Sequence, residues 1–192
     1  MTSPLLDRMF TQGRTHAHWQ VRPVDMALLR EAWDLAVQGP TSANCQPLRV
    51  VFLCGAETKL RLKPALAPGN LDKTMAAPVT AILAQDMEFH ERLPVLFPQV
   101  DARAWFAGND ALIAATAARN SSLQAGYFIL ALRALGLDCG PMSGFDAAAV
   151  DATFFAGTAL RVNMLLNIGY GDAARLHPRN PRLSFDEACR IL

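Results

Sequence analysis

The stretch DALIAATAARNSSLQAGYFILALRAL, residues 110–135, decides how this chain folds. Alanine, leucine and isoleucine fill it almost without interruption, and Gly136 follows it directly. Because glycine commonly ends helices, the stretch predicts one long helix that is apolar on most of its surface. Such a helix lies in a protein core or in an interface between subunits.

Shorter elements flank this helix on both sides. Asp25 precedes apolar positions spaced three or four residues apart, which predicts a capped helix that Gly39-Pro40 ends. The β-branched and aromatic runs at residues 48–54 and 78–84 predict neighbouring buried strands, with a short helix over residues 57–66 between them. Residues 160–168 predict a last strand. The order indicates an α+β fold.

Residues 86–109 are rich in aromatics and proline but follow neither the helical nor the strand period. We interpret this 86–109 region as a short helix and a long excursion, and long loops in compact domains are often functional. The chain has no repeat, low-complexity segment or linker. We therefore expect residues 1–192 to form a single domain.

Composition excludes several classes of function. The chain has 18 basic and 17 acidic residues among 192, so no nucleic-acid partner is indicated. Its four cysteines form no CxxC pair. No run approaches the roughly 18 apolar residues of a membrane span, and the N-terminus lacks a signal peptide, so we expect a cytoplasmic protein without a membrane segment.

Two sets of metal-ligand residue types are incomplete. His16 and His18 stand two residues apart, and Glu88, His90 and Glu91 follow Asp86. Neither set is completed by further ligands at a characteristic spacing, so we expect no metal site. Serine nucleophile elbows, P-loops and the HExxH motif are absent from the sequence as well.

Residues 169–174, GYGDAA, fit the GxGxxG/A fingerprint of dinucleotide-binding folds and follow a predicted strand. Only eighteen residues remain after Ala174, and prolines interrupt them. They cannot supply the second strand and the acidic residue that a Rossmann unit requires. The motif therefore does not predict a Rossmann fold.

Five polar segments remain, and each suits a ligand with a phosphate and a polar ring. Arg14 starts a basic stretch, residues 39–47 carry dense hydroxyls and amides, and Gly140 opens a glycine-rich segment after the long helix. Asn70 and Lys73 share a face if helical. The tail adds two arginines. Alone, the first segment is equally well explained as a basic surface turn, and the second can be explained as a well-capped turn.

Taken together and in this order, the segments resemble the flavin nitroreductases over essentially the whole chain. PTSANCQP at residues 40–47 and PMSGFD at residues 141–146 are the specific parts. The resemblance implies a nitroreductase-like α+β fold, with a central, mixed and mainly antiparallel sheet flanked by helices and a long core or interface helix. It also implies FMN at a homodimer interface, with NADH or NADPH as the reductant.

The resemblance also implies which residues contact FMN. The phosphate is expected near the N-terminal segment and the tail, the pyrimidine edge near the amide–ammonium pair, and the flavin plane near the partner's polar segment and the glycine-rich loop. Where relatives carry a second basic residue, this chain has Ala17, and either neighbouring histidine is a candidate replacement. The cofactor-binding candidates are Arg14, Thr15, His16, His18, Thr41, Ser42, Asn44, Asn70, Lys73, Pro141, Met142, Ser143, Gly144, Arg179 and Arg182.

In this family the flavin performs the hydride chemistry, so no side chain is expected to be the catalyst. Further motifs, such as RTHxxW, GNLDKT and PRLSF, are similar to the malonic semialdehyde reductase branch. That branch implies a carboxylate-binding cation, for which Arg103 and then Arg119 are candidates, although Arg103 could equally pair with a nearby acid. The alternatives are a broad nitro or quinone reductase and a non-catalytic flavin-binding protein.

Overall fold

The computed structural model describes residues 3–192 and centres on a four-stranded sheet. The strands are β1 Leu48–Leu53, β2 Val79–Asp86, β3 Asp138–Met142 and β4 Leu160–Gly169, in the order β1-β2-β4-β3. Neighbouring strands all run antiparallel, and Ile82 is paired with both Val51 and Leu165. The predicted adjacency of the first two strands is confirmed. An isolated parallel bridge joins Thr15 to Cys139 beside this antiparallel sheet.

Helices surround the sheet, and several are short. They are α1 Pro4–Leu6, α2 Met26–Ala36, α3 Ala56–Leu62, α4 Pro68–Ala76, α5 Leu93–Leu96, α6 Asp110–Ala134, α7 Ala147–Phe154 and α8 Phe185–Ala188. No helix within residues 3–192 is long and apolar enough to cross a membrane.

The long helix predicted from the opening stretch is α6. Asn109 caps it by accepting a hydrogen bond from the Leu112 N–H at 3.0 Å, and Gly136, at φ +92°, lies just beyond its end. Its buried apolar side chains, such as Phe128, pack with α2 and one face of the sheet. The expected apolar surface is interrupted, because four polar residues of α6 are also buried: Thr116, Asn120, Ser121 and Gln124.

Two further clusters complete the interior. One packs α3 and α7 against β2 and β4. The other lies within the 86–109 region, where Phe89, Leu93 and Phe106 are buried around Cys45. Instead of an irregular excursion, this region contains α5 and two 3₁₀ turns, Phe89–Arg92 and Ala102–Phe106. Aromatic packing orders it without a regular period.

The sequence analysis did not predict α1, β3, α7 and α8, and it considered α4 only as a possibility. Strand β3 contains Gly140 and Pro141, residues that disfavour strands, but it lies at the sheet edge, where proline is tolerated. The helix predicted over residues 57–66 ends at Leu62 and continues as a 3₁₀ turn at Lys63–Ala65, which contains a proline.

Candidate functional site

The N-terminal segment and the C-terminal tail meet in a pocket of about 420 Å³, which we call the basic pocket. Four arginines and two histidines line it, and no carboxylate from residues 3–192 does. The lining residues are Arg14, Thr15, Ala17, His18, Arg175, Leu176, His177, Pro178, Arg179, Asn180 and Arg182. This pocket brings together all the phosphate-binding candidates except His16. Its donor set suits an anion such as a phosphate.

Backbone contacts hold the two sides of the basic pocket together. The Arg14 guanidinium donates to the His177 carbonyl at 2.6 Å, and Arg179 donates to the carbonyls of Thr11 at 2.7 Å and Gly13 at 3.1 Å. The His16 N–H also donates to the Cys139 carbonyl at 3.0 Å. The N-terminal segment therefore lies along the edge of β3, with the tail across it.

His16 turns away from this pocket, so the structure leaves His18 as the histidine able to stand in for the missing basic residue. The His16 side chain is buried, with Nε2 3.5 Å from Asp138 Oδ1, and its ring fills the space beside Gly171. Burial lowers its pKa, and the Asp138 carboxylate opposes that shift only in part. A buried neutral imidazole is a poor phosphate ligand.

The second group of candidates meets where α4 faces the loop after β3. Asn70 Nδ2 donates to the Gly144 carbonyl at 2.7 Å, and the Ala67 N–H donates to the same oxygen at 3.1 Å. Lys73 lies one helical turn after Asn70, and its carbonyl accepts from Trp19 Nε1 at 3.0 Å. Trp19 thus connects this group to the N-terminal segment.

The glycine-rich segment is split between a strand and a loop. Pro141 and Met142 belong to β3, and Met142 is buried, so the expected loop begins only at Ser143. Ser143 and Gly144 follow the strand and are exposed. Their exposed backbone leaves room for a ligand to approach closely.

Lys59 fixes the far end of α4 and was not recognised in the sequence. Lys59 is only 5% exposed, and its ammonium donates to the carbonyls of Thr74 and Ala77. The Met75 carbonyl lies 3.5 Å from the same nitrogen. A cation among the last carbonyls stabilises a helix C-terminus, although burial lowers the lysine pKa. Its partners lie 15 to 18 residues away, a spacing that no motif marks.

A second unpredicted group lies beneath α4. Buried Asn167 of β4 accepts from Thr80 Oγ1 at 2.8 Å and donates to Thr74 Oγ1 at 3.3 Å. Thr74 Oγ1 in turn lies 3.5 Å from Met142 Sδ. Buried polar groups with every partner in place fix orientation, so this chain of contacts sets the position of α4 on the sheet.

Residues 41–46, which we call the left-handed segment, have an unusual backbone. Ala43, Asn44 and Gln46 have φ values of 48°, 50° and 39°, although none is glycine. Asn44 Nδ2 donates to the Leu96 carbonyl at 2.8 Å, so the segment is attached to the 86–109 region. Thr41, Ser42 and Asn44 line none of the pockets that contain the basic residues.

The two candidate carboxylate ligands differ in their surroundings. Arg103 forms a two-pronged ion pair with Glu91, with contacts of 2.9 and 3.1 Å, and both side chains are about half exposed. Arg119 is exposed on α6, and its guanidinium has no partner within residues 3–192. The alternative that Arg103 pairs with a nearby acid is therefore the arrangement in the structure, with Glu91 as the acid.

The incomplete motifs have structural explanations. Asp86 pairs with Arg49 at 2.6 Å, and residues 3–192 contain no group of three or more ligand-type side chains that could hold a metal ion. The glycines of the GYGDAA motif are required by packing. A side chain on Gly169 would overlap Pro78, and one on Gly171 would overlap the His16 ring.

The chain is similar in sequence to a known protein family and to one of the relatives found by comparison. The model of the Nitroreductase family matches residues 14–170. A protein of Burkholderia lata named "Putative NADH dehydrogenase/NAD(P)H nitroreductase" is 63% identical over 191 residues, which cover 100% of this chain and 98% of the relative.

Solved structures share the fold at lower sequence identity. The "putative nitroreductase ydfN" of Bacillus subtilis has a TM-score of 0.88 at 21% identity, covering 97% of this chain and 98% of its own. A "putative nitroreductase in complex with FMN" from Exiguobacterium sibiricum has a TM-score of 0.87 at 20% identity, covering 100% and 99%. At these identities the structures support the fold, while the family model and the Burkholderia relative identify the family. The chain therefore belongs to the nitroreductase family.

Proposed function

We propose that this chain is an FMN-dependent oxidoreductase that uses NADH or NADPH to reduce a small acceptor. The observation that carries the proposal is the basic pocket, which concentrates four arginines from two distant segments without a lining carboxylate from residues 3–192. Guanidinium groups bind phosphate through charge-assisted hydrogen bonds, so the pocket suits the terminal phosphate of FMN. A relative of the same fold is described as a complex with FMN, which is consistent with this assignment.

The chain's residues would hold FMN at two places. Arg14, Thr15, His18 and Arg182 would bind the phosphate, with Arg179 bracing the N-terminal segment beside them. Asn70, Lys73 and the backbone at Ser143–Gly144 would take the polar edge of the ring, because they place an amide, an ammonium and exposed backbone side by side. FMN, when bound, supplies hydride transfer between the nicotinamide and the acceptor.

We further propose that the site forms between two copies of the chain. The left-handed segment, expected to contact FMN, shares no pocket with the basic residues of its own chain, so a second copy would have to supply it. Exposed apolar side chains could form such an interface. Among them are Leu5, Leu6 and Phe10 near the N-terminus and Leu112 and Leu123 on α6, each at least 40% exposed.

For the acceptor we propose malonic semialdehyde, reduced to 3-hydroxypropanoate. Its carboxylate needs a cation that is not already neutralised, and an arginine offers two parallel donors. Arg119 is exposed and unpaired within residues 3–192, whereas Arg103 is already paired with Glu91. We therefore assign Arg119 the role that the sequence favoured for Arg103.

The second candidate function is a broad reductase of nitro compounds or quinones. The Arg103–Glu91 pair supports it, because it leaves the 86–109 region without a free arginine at that position for an acidic substrate. The name of the Burkholderia relative points in the same direction. The two candidates differ only in the acceptor.

A purified sample tests these proposals in sequence. We expect a yellow dimer with one FMN per chain, whose colour bleaches when NADH or NADPH is added without an acceptor. Bleaching separates an enzyme from a non-catalytic flavin-binding protein. A colourless protein that fails to bind added FMN would overturn the proposal.

The acceptor is tested with malonic semialdehyde, a nitroaromatic and a quinone in one assay panel. Arg119→Ala is expected to raise KM for malonic semialdehyde about tenfold, equivalent to ~1.4 kcal/mol, and to leave quinone reduction nearly unchanged. Equal activity on all three acceptors, unaffected by Arg119→Ala, would favour the broad reductase.

A further inference from the structure

We infer that Asn120 is a positioning residue for FMN binding, because it holds the backbone of the left-handed segment from inside α6. The inference rests on the proposed function, in which Thr41, Ser42 and Asn44 contact FMN. The RNSS stretch at residues 119–122 belongs to the family resemblance, but the sequence assigned Asn120 no role in binding FMN. The contacts of its amide group carry the argument.

The backbone conformation of the left-handed segment is unfavourable in free energy. A left-handed backbone costs roughly 1–2 kcal/mol at a residue with a side chain, less for asparagine, and this segment has three such residues within four positions. Such conformations persist only where the surroundings fix them. Within the segment, the Asn44 N–H donates to the Thr41 carbonyl and the Cys45 N–H to the Ser42 carbonyl, both at 3.0 Å. Gln46 Nε2 donates to Asn44 Oδ1 at 2.7 Å, and the Gln46 N–H donates to Thr41 Oγ1 at 3.3 Å. These bonds join the segment only to itself, so they do not fix its position relative to α6.

Asn120 supplies an anchor from outside. Its Oδ1 accepts from the Ser42 N–H at 2.8 Å, and its Nδ2 donates to the Thr116 carbonyl, one turn earlier in α6, at 2.9 Å. The side chain is 1% exposed. Because both ends of the amide are engaged and water is excluded, its orientation is fixed, and with it the position of the Ser42 backbone.

Two other α6 side chains bind the polypeptide on either side of the segment. Gln124 Oε1 accepts from the Leu48 N–H at 3.0 Å, and Tyr127 Oη donates to the Pro40 carbonyl at 3.1 Å. Residues 120, 124 and 127 share one face of a helix, so α6 presents a fixed set of bonds to this stretch. Of these three bonds from α6, only the one to Asn120 involves a residue of the left-handed segment.

This difference provides a matched control. Gln124 is as buried as Asn120, lies one turn away and makes the same kind of bond, but its partner belongs to β1. Asn120→Leu and Gln124→Met each replace an amide with an apolar side chain of similar size. Each leaves an N–H without its acceptor, that of Leu48 buried and that of Ser42 only partly buried, so we expect Gln124→Met to lose at least as much thermal stability as Asn120→Leu.

The experiment measures FMN dissociation constants and unfolding midpoints for both variants. We expect Asn120→Leu to weaken FMN binding tenfold or more and Gln124→Met to change it less than about threefold. Asn120→Asp retains an oxygen facing Ser42 and, in the protonated form that burial favours, an O–H that can donate to the Thr116 carbonyl, so it should restore FMN affinity to within about threefold of the wild type. Where Asn120→Leu does not fold, Asn120→Ala, whose side chain also falls short of Ser42, takes its place.

Two outcomes would overturn the inference while wild-type protein binds FMN. One is an equal loss of FMN affinity in the Asn120 and Gln124 variants, which would indicate a general effect of stability. The other is unchanged affinity in Asn120→Leu or Asn120→Ala. Wild-type protein that does not bind FMN would instead defeat the proposed function, so the two failures are distinguishable.

Discussion

The basic pocket and the left-handed segment are assigned to the same cofactor, but they are built by opposite physical means. The pocket relies on exposed guanidinium groups that donate to nearby carbonyls and share a surface with few packing constraints. The segment relies on a strained backbone held by hydrogen bonds, among them those from Asn44 to the Leu96 carbonyl and from Ser42 to the buried Asn120 amide.

The difference concerns how each region tolerates change. Attraction between charges varies slowly with distance, so the pocket can lose or shift one side chain and keep its fold. A buried hydrogen bond depends on distance and angle, and an unmatched donor costs about 1–3 kcal/mol. We therefore expect pocket variants to change mainly affinity, and segment variants to change affinity and stability together.

The largest expected effect is that of charge reversal in the basic pocket. Arg14→Glu should weaken FMN binding by about 100-fold or more, roughly 2.7 kcal/mol, because it removes a charge-assisted bond and adds repulsion toward the phosphate. Arg182→Glu should act in the same direction. Flavin titration measures both effects.

The control is Arg30→Glu, which makes the same charge change at an exposed position of α2 outside the basic pocket. It should leave FMN affinity unchanged. Arg182→Glu and Arg30→Glu should leave the apo protein within about 0.5 kcal/mol of the wild type, whereas Arg14→Glu also loses the bond to the His177 carbonyl and should cost about 1 kcal/mol. A large loss of apo stability in Arg14→Glu would break the distinction drawn above.

The next largest effect lies at the entrance to the left-handed segment. A side chain on Gly39 would overlap the ring of Tyr127, whose hydroxyl group donates to the Pro40 carbonyl. Gly39→Ala should therefore lower the free energy of unfolding by about 1–3 kcal/mol and weaken FMN binding as well. Urea unfolding with a parallel flavin titration checks both expectations.

Gly126→Ala is the control of opposite sign. Apart from the neighbouring backbone of α6, no atom of residues 3–192 lies within 4 Å of the position where its Cβ would stand, and the residue is inside α6. Alanine there should raise stability by about 0.5–1 kcal/mol, since glycine is the poorer helix former. Two equal losses would mean that contacts with a second chain govern both sites.

A smaller effect depends on pH and involves His16, on the packed side of the N-terminal segment. Burial holds the pKa of His16 below the ordinary value of 6.5, and the charges of Arg14 and Arg133 lower it further. The carboxylates of Asp138 and Asp172 raise the pKa but do not cancel the effect of burial. Below about pH 6.5 the unfolded chain takes up this proton before the native protein does, so stability falls as pH falls. The slope for one proton is at most about 1.4 kcal/mol per pH unit.

His16→Gln removes the titrating group and retains an amide near Asp138. Urea unfolding of apo protein at pH 7.5 and 5.5 should show a smaller acid loss in this variant than in the wild type. Parallel losses in the two proteins would assign the acid sensitivity to other groups.

The smallest effect is expected at Arg103. A half-exposed ion pair contributes about 0–1 kcal/mol, so Arg103→Ala should change stability by less than about 1 kcal/mol. KM for malonic semialdehyde should change less than threefold, because the guanidinium is already engaged by Glu91. A tenfold rise in KM with unchanged quinone reduction would return the carboxylate-binding role to Arg103.

Three of the four arginines of the basic pocket, Arg14, Arg179 and Arg182, could be anticipated from the sequence because charge and chain order are visible there, whereas Arg175 was missed. The direction in which His16 points could not. Thr15 lines the pocket and His16 points inward, and the space for the imidazole exists only because residue 171, far along the chain, is glycine. That space is a tertiary property, and no local pattern encodes it.

The same reason explains the elements and supports that escaped prediction. Gly140 and Pro141 argue against a strand locally, but pairing with β4 makes one at the sheet edge. Lys59 and Asn120 look like ordinary helical polar residues until the chain folds, and their roles come from carbonyls and an N–H at distant positions. Long, strongly apolar elements such as α6 were predicted well because their signal is local.

The buried Cys45 gives the molecule a built-in chemical reporter. Cys45 is 1% exposed and packs among Phe89, Leu93 and Phe106. Burial raises the pKa of its thiol to about 11. An alkylating reagent can therefore reach a thiolate there only when the 86–109 region separates from the left-handed segment. Cys139, with a pKa of about 12 in the main core, reports global unfolding, and exposed Cys54 and Cys189 react first. Labelling rates of the four cysteines, followed by mass spectrometry, would therefore time the opening of this region without any added probe.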